Sequence, residues 1–277
     1  MNYRHIYHAG NFADVFKHLV LLALIEALKR KPKPFCVLDT HAGLGLYSLQ
    51  SIEAQKKQEY QHGIYKLVNS TEKPPVLVQQ YVSTVSRCNP PNKLEIYPGS
   101  SLLALNAMRE ETDKLIACEL HPDDVAVLKK NILAYDNAAV HHMNGYYAMK
   151  AFLPPKEARG LVFIDPPFEN TTEFDDVLQS LTLALKHWRS GVCAVWYPIK
   201  DRFKVNTFYH ELSFLGFPTH YFEFSLLKED TEPGMTSCGM AIVNMPWQVP
   251  ELLNDEILPY LSNILDASYS MKSDNMK

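Results

Sequence analysis

Cysteine is scarce and unpaired in this sequence: Cys36, Cys88, Cys118, Cys193 and Cys238 are scattered through 277 residues with no Cys-x-x-Cys spacing. That pattern excludes a disulfide scaffold and the common zinc-site spacings, and it points to a reducing cytoplasm and no metal. Long apolar runs are missing too. Residues 19–28 are too few to cross a bilayer and contain Glu26, and no amino-terminal signal is present, so no membrane partner is expected. Nor does one sign of charge dominate. The net charge is −4, which argues against a broad nonspecific nucleic-acid coat and still permits a local basic patch. Repeats and low-complexity segments are absent. What is present is an apolar fraction of 47% with 21% charged residues, enough for a full core, in a length suited to about two domains or one large α/β domain with an insertion.

The most informative stretch is Gly160-Leu-Val-Phe-Ile-Asp-Pro-Pro-Phe168. Residues 161–164 are apolar, β-branched or aromatic, as in the middle of a parallel sheet, and Asp165 follows at the carboxyl end, where open α/β sheets bind ligands. Pro166 and Pro167 carry no N–H, so the turn offers only acceptors. An exocyclic amino group, with two protons to surrender, suits it: the Asp165 carboxylate takes one and the Pro166 carbonyl the other, while Phe168 offers a face for stacking. Taken alone, the same residues equally describe a strand ending in an Asp-Pro turn with Phe168 in the core.

The chain opens with an aromatic and basic arm whose Tyr3, Arg4 and His5 suit nucleic-acid stacking and phosphate contact, or else a frayed terminus. Apolar Val15, Leu19, Leu22 and Ile25 predict a helix over 12–29, stopped by Pro32 and Pro34. Lys17 and His18 fall in its first two turns, close in sequence to the next motif; a lysine there is by default a solvated face residue. A buried strand at 35–40 then runs into His41-Ala-Gly-Leu-Gly45, where Gly43 and Gly45 permit a tight turn and a close backbone approach to a ligand. Ser48 stands where a dinucleotide fingerprint needs its third glycine, which disfavours NAD. What remains is the looser Asp39-x-x-x-Gly43-x-Gly45 loop used by S-adenosylmethionine enzymes.

Residues 49–93 show helical patterns and no strand, and are expected to form a small inserted helical subdomain. It separates the arm, helix and start of the core in 1–48 from the remainder of the core in 94–277. Pro98-Gly99-Ser100 opens a helix with Ser100 or Ser101 as N-cap, and the helix terminus is a seat for a cofactor carboxylate. A strand at 114–120 ends in Glu119, the position that takes ribose hydroxyls in nucleotide-binding sheets. Another ends at Asn144-Gly145, where an amide can recognise an adenine amino group. Further strands at 161–164, 192–197, 221–227 and 239–244 alternate with helices at 173–188 and 201–215, the last two strands being joined without a helix. The expected fold is α/β and Rossmann-like, a seven-stranded mixed sheet closed by an antiparallel seventh strand, as in class I methyltransferases. The loop 229–238 is expected beside the carboxyl edge, in a position to contact substrate.

Several motifs together resemble the bacterial 23S ribosomal RNA adenine-N6 methyltransferase J family: Tyr3-Arg-His5, His8-Ala-Gly-Asn11, Asp14-Val with Lys17-His18, Leu38-Asp-Thr-His-Ala-Gly43, Tyr97-Pro-Gly-Ser100, Glu119-Leu-His-Pro122, Ile164-Asp-Pro-Pro-Phe168, Trp196-Tyr-Pro198 and Gly234-Met235 with Gly239-Met240. The resemblance runs nearly end to end. It implies S-adenosylmethionine as cofactor, held by His18, His41, Ser100, Glu119, Asn144, Gly145 and Asp165, to which the residue reading adds Lys17 and Gly43. It implies Asp165 as the catalytic group, Tyr3 as an RNA contact and 23S ribosomal RNA as partner; a cytoplasmic monomer is expected. Relatives commonly carry Asp where this chain has Asn144, which still offers an oxygen to an adenine N–H. A DNA adenine methyltransferase, served by the same turn, and a noncatalytic nucleic-acid-binding factor are the other readings open at this point.

Overall fold

The computed structural model describes residues 4–227 and 235–274. In chain order its strands are β1 (Cys36–Asp39), β2 (Leu46–Ser48), β3 (Ile96–Pro98), β4 (Lys114–Glu119), β5 (Ala138–His142), β6 (Gly160–Ile164), β7 (Val192–Pro198), β8 (Thr219–Leu226), β9 (Ser237–Val243) and β10 (Ala267–Asp274). The helices are α1 (Phe12–Lys29), α2 (Ile52–Lys57), α3 (Ile64–Val68), α4 (Val76–Arg87), α5 (Ser100–Ala107), α6 (Pro122–Asn131), α7 (Gly145–Phe152), α8 (Glu173–His187), α9 (Arg202–Ser213), α10 (Val249–Leu252) and α11 (Leu258–Leu265).

Eight strands form the main sheet in the order β10-β8-β9-β7-β6-β1-β4-β5. From β5 through β7 every pairing is parallel, and β9 runs antiparallel to both β7 and β8. The residues explain the parallel part: β1, β6 and β7 are buried along their whole length, so both faces need an apolar cover. The chain leaves β1 toward β4 and β5, then returns to place β6 on the other side of β1. Between β1 and β6 lies the point where strand order reverses, the position at which such sheets bind ligands. This is the Rossmann-like order expected from the sequence.

Two features differ from the expectation. The sheet has an eighth strand, β10, paired antiparallel with β8; Ala267, Tyr269 and Met271 alternate with polar residues there, a short signal on a mostly exposed edge strand. The stretch around 94–98 does not enter the main sheet: β3 pairs with β2, directly after the glycine loop, in a two-stranded ribbon.

Helix α1 matches its expected limits, but its surroundings do not match an amphipathic surface helix. Every residue from Phe12 to Leu24 is buried. Helices α4, α5 and α10 pack on it together with β6 and β9, so it is enclosed on all sides. The helices of 49–93 supply part of that enclosure, since Ile64, Leu67, Leu77, Val78, Tyr81 and Val85 belong to the same apolar cluster as α1. A second cluster on the opposite face of the sheet joins α8 and α9 to β6 and β7 through Val162, Ile164, Val177, Leu181, Val205 and Phe208.

Candidate active site

A cavity of about 1010 Å³ opens at the carboxyl edge of the parallel strands. On one wall β6 ends and Asp165 emerges, followed by the buried Pro166. The Lys17 ammonium reaches it from α1, with Nζ 2.5 Å from Asp165 Oδ2 and 2.9 Å from Asp14 Oδ1. The same Nζ lies 5.1 Å from the centre of the Trp196 ring, which forms a floor under it. Lys17 is only 3% exposed, and the two carboxylates that face it offset the cost of burying its charge. Asp14 is likewise buried: Oδ2 accepts the Gly10 N–H at 2.8 Å and lies 3.0 Å from His5 Nε2. Burial alone would raise the Asp14 carboxyl; His5 and Lys17 outweigh it and hold the group well below the usual carboxylate range. Thus His5, Asp14, Lys17 and Asp165 form one polar chain from the amino-terminal arm to the end of β6.

Beside it, burial drives His18 down to about 3, so its imidazole is neutral at physiological pH. Its Nδ1 pairs with the Tyr97 hydroxyl at 2.6 Å, and Tyr97 pairs with Tyr81 of α4 at 2.8 Å.

The opposite wall is built by the glycine loop. Gly43 and Gly45 have φ of +60° and +75°, a left-handed backbone that glycine adopts without strain. The Gly43 N–H donates to Glu119 Oε2 at 2.9 Å, and the His121 N–H donates to Oε1 at 2.8 Å, so the Glu119 carboxylate ties the loop to the end of β4. Gly145, at the start of α7, lies so close to the end of β1 that a Cβ there would come within 2.2 Å of the Thr40 carbonyl oxygen. His41, lowered to about 4 by burial, pairs through Nδ1 with the Thr40 hydroxyl at 2.8 Å and meets the Tyr146 ring edge-on. Below the loop, Asp39 Oδ2 accepts both the Ser100 and Ser101 hydroxyls, at 2.6 and 2.7 Å. Neither serine therefore caps α5, whose N-cap is Gly99.

The cavity gathers most of the residues singled out in the sequence: Arg4, His5, Lys17, His18, His41, Gly43, Ser100, Glu119, Asn144, Gly145, Asp165 and Pro166 all line it. Phe168 does not. Its ring packs on Phe174 and Trp196, with centroids 4.8 and 6.0 Å away, and braces the turn from behind. Asn144 caps α7, its side-chain oxygen accepting the Tyr146 N–H at 2.8 Å. Lys17 is not the solvated residue that its place in a helix suggests. Tyr3 lies outside the described residues, as do Gly234 and the neighbouring part of the 229–238 loop. Among the described residues, no group of three or more His, Cys, Asp or Glu side chains is placed to hold a metal ion, and no helix is long and apolar enough to cross a membrane.

The sequence model of the family described as "Ribosomal RNA large subunit methyltransferase D, RlmJ" matches residues 32–274. The chain belongs to the RlmJ family. It is 38% identical over 266 residues to the Escherichia coli (strain K12) protein named "Ribosomal RNA large subunit methyltransferase J", covering 96% of this chain and 94% of that one. The Haemophilus influenzae protein of the same name is 39% identical over 267 residues, with the same coverage. Among solved structures, a Legionella pneumophila protein superimposes with a TM-score of 0.90 at 34% identity, over 97% of this chain and 99% of that one.

In this RlmJ family member, the residues that sequence reasoning did not place are the ones that hold the site charges. Asp14 was visible only as part of a motif, although its spacing of three from Lys17 puts both on one helix face. Trp196 and Tyr97 were likewise visible only within motifs, because their part, like that of Tyr81, depends on α1 being threaded between α4 and the sheet. Chemically, the site offers a carboxylate fixed by an ammonium, a turn without N–H donors, and a glycine cradle closed by an acid.

Proposed function

We propose that the protein transfers a methyl group from S-adenosylmethionine to N6 of a specific adenine in 23S ribosomal RNA. The observation that carries this reading is the Asp165-Pro166-Pro167 turn, an all-acceptor wall whose carboxylate is oriented by buried Lys17 and which faces a glycine-loop cradle across one cavity. Family membership supports the ribosomal substrate: the matched relatives are named as methyltransferases of the large-subunit RNA.

The residues of the cradle fit such a cofactor. Glu119 would take ribose hydroxyls, Asn144 and Gly145 would flank the adenine, and the start of α5 at Ser100 would face the carboxylate. Asn144 has already committed its oxygen once, to the cap of α7, which leaves one lone pair for an adenine N–H. His18, His41 and Gly43 complete the lining. When bound, S-adenosylmethionine supplies an electrophilic methyl group on a sulfonium.

Adenine N6 is a weak nucleophile because its lone pair is delocalised into the ring. With Oδ2 held by Lys17, Asp165 presents Oδ1 to one N6 proton and the Pro166 carbonyl accepts the other. These bonds favour a pyramidal nitrogen and stabilise the positive charge that grows on it. Asp165 then receives the departing proton, directly or through water. Tyr3, Arg4 and His5 of the arm are assigned to the RNA, and the target base must first leave its stack, at a cost of a few kcal/mol in a duplex and less in a loop.

The test is methyl transfer from labelled S-adenosylmethionine to unmodified 23S RNA, with Asp165→Asn in parallel. The variant is expected to lose about a hundredfold or more in turnover and to keep its cofactor affinity within about tenfold. Label on adenine N6 with the wild type alone supports the reading; an equally active variant sinks the mechanism.

A further inference from the structure

The strand order divides the carboxyl edge of the sheet in two. The cradle residues sit on the side of β1, β4 and β5, and the catalytic turn is followed on its other side by β7, which runs parallel to β6 with Ile164 beside Val195. An RNA strand that reaches Asp165 along the carboxyl edge from the β7 side passes the end of β7, about one strand spacing away. Beyond Pro198 that end leads through Lys200 into the first turn of α9.

This turn is firmly anchored. The Asp201 carboxylate accepts the Phe203 N–H at 2.9 Å and the Lys204 N–H at 3.4 Å. Both arms of Arg202 bond to Glu223, at 2.6 and 3.0 Å, and the Tyr209 hydroxyl donates to the same carboxylate. One turn on, Phe208 packs on Phe174, which itself packs on Phe168 of the catalytic turn. What the anchoring presents to water is an aromatic ring: Phe203 is 79% exposed. Lys200 and Lys204 flank it, also exposed, and neither is in an ion pair among the described residues. Arg202 is occupied with Glu223, so the two lysines are the cations of this turn that remain for a partner.

A rigid apolar ring standing in water between two ammonium groups matches an unpaired nucleotide, whose base stacks and whose phosphates are anionic. We propose that Phe203, with Lys200 and Lys204, is the seat of an unpaired nucleotide flanking the target adenine. The proposal rests on the RNA methyltransferase reading above. In a protein whose net charge is −4, an exposed local cation pair just beyond the end of β7 is a place where a polyanion is attracted.

The experiment compares the wild type, Phe203→Ala, Phe203→Trp and the double variant Lys200→Ala/Lys204→Ala. It measures steady-state methylation of unmodified 23S RNA and, separately, calorimetric binding of S-adenosylmethionine. Phe203→Ala is expected to raise KM for RNA roughly tenfold, the worth of one base-aromatic stack, with kcat and cofactor binding unchanged. Phe203→Trp should restore the wild-type KM, and the lysine double variant should raise it. A KM for Phe203→Ala within twofold of the wild type, on RNA that the wild type methylates, overturns the seat alone. So does a loss that extends to cofactor binding, which marks a structural role. A wild-type protein that binds the cofactor and methylates no RNA overturns the functional reading itself.

Discussion

Asp39 is the residue whose ionisation works against the fold. Burial raises its carboxyl from 3.8 to about 6, the Ser100 and Ser101 hydroxyls only partly offset this, and the charge of Asp165 adds to it. Because the folded state holds this proton more tightly than the unfolded chain does, the cost of ionisation appears as pH rises through 3.8 and is complete above about 6. At about 1.4 kcal/mol per unit, it amounts to about 3 kcal/mol. Asp39→Asn cannot ionise. Urea unfolding at several pH values should show the variant gaining on the wild type by about that amount between pH of about 4 and 7; a gap independent of pH would place the ionisation elsewhere. Asp14 has the opposite sign. Held well below its ordinary range, it contributes stability at neutral pH that is lost as the solution is acidified through its lowered folded value. Lys17→Met removes the ammonium between Asp14 and Asp165 and should cost about 3 to 5 kcal/mol in urea unfolding at pH of about 7. The double variant Asp14→Asn/Lys17→Met should recover part of it, since no buried charge is then left on α1. No recovery would mean that Lys17 matters for its packing on Trp196 rather than for its charge.

Much of the element plan was legible because each signal was local. The spacing of Val15, Leu19, Leu22 and Ile25 placed α1, the apolar run 161–164 placed β6, and acids at strand ends located Glu119 and Asp165 at the carboxyl edge. The illegible parts depended on distant segments. Periodicity assigns Lys17 to a wet face, and only the distant ends of β6 and β7, with Asp165 and Trp196, cover it. The carboxyl-terminal region went unassigned although Val249, Leu253, Ile257, Leu261 and Leu265 recur at helical spacing and are all buried; the alternation of Ala267, Tyr269 and Met271 in β10 is too short to stand out. Ser100 and Ser101 looked like caps because a serine before a helix usually is one, and the unpaired carboxylate beneath them took both hydroxyls instead. Element contacts also make a prediction. At Gly145 the start of α7 touches the end of β1, and backbone there has nowhere to go. Gly145→Ala should push α7 off the glycine loop, lowering stability by about 1 to 3 kcal/mol and weakening cofactor binding by about tenfold or more. Calorimetry and thermal melting would show it; unaltered binding would remove α7 from the cradle.

At the scale of the whole molecule, an acid-leaning surface has to hold a polyanion through a few local cations. The salt dependence of RNA affinity should be shallow, with a log–log slope weaker than about −4, because single strands contribute about 0.7 per neutralised phosphate. Replacing Lys200 and Lys204 together should reduce it by about 1.4. A much steeper slope would reveal a broad basic surface that the net charge of −4 does not suggest. The enclosure of α1 bears on how the chain is made. Its partners are encoded far downstream, in α4, α5, β6, β9, α10 and last of all the helical turn Leu253–Ile257, whereas a ribosome releases α1 first. The earliest helix to emerge is thus among the last to be housed: until residues 249–257 have followed it out, one flank of the helix that carries Lys17 has no cover, and a chain stalled short of them is left with an open apolar seam.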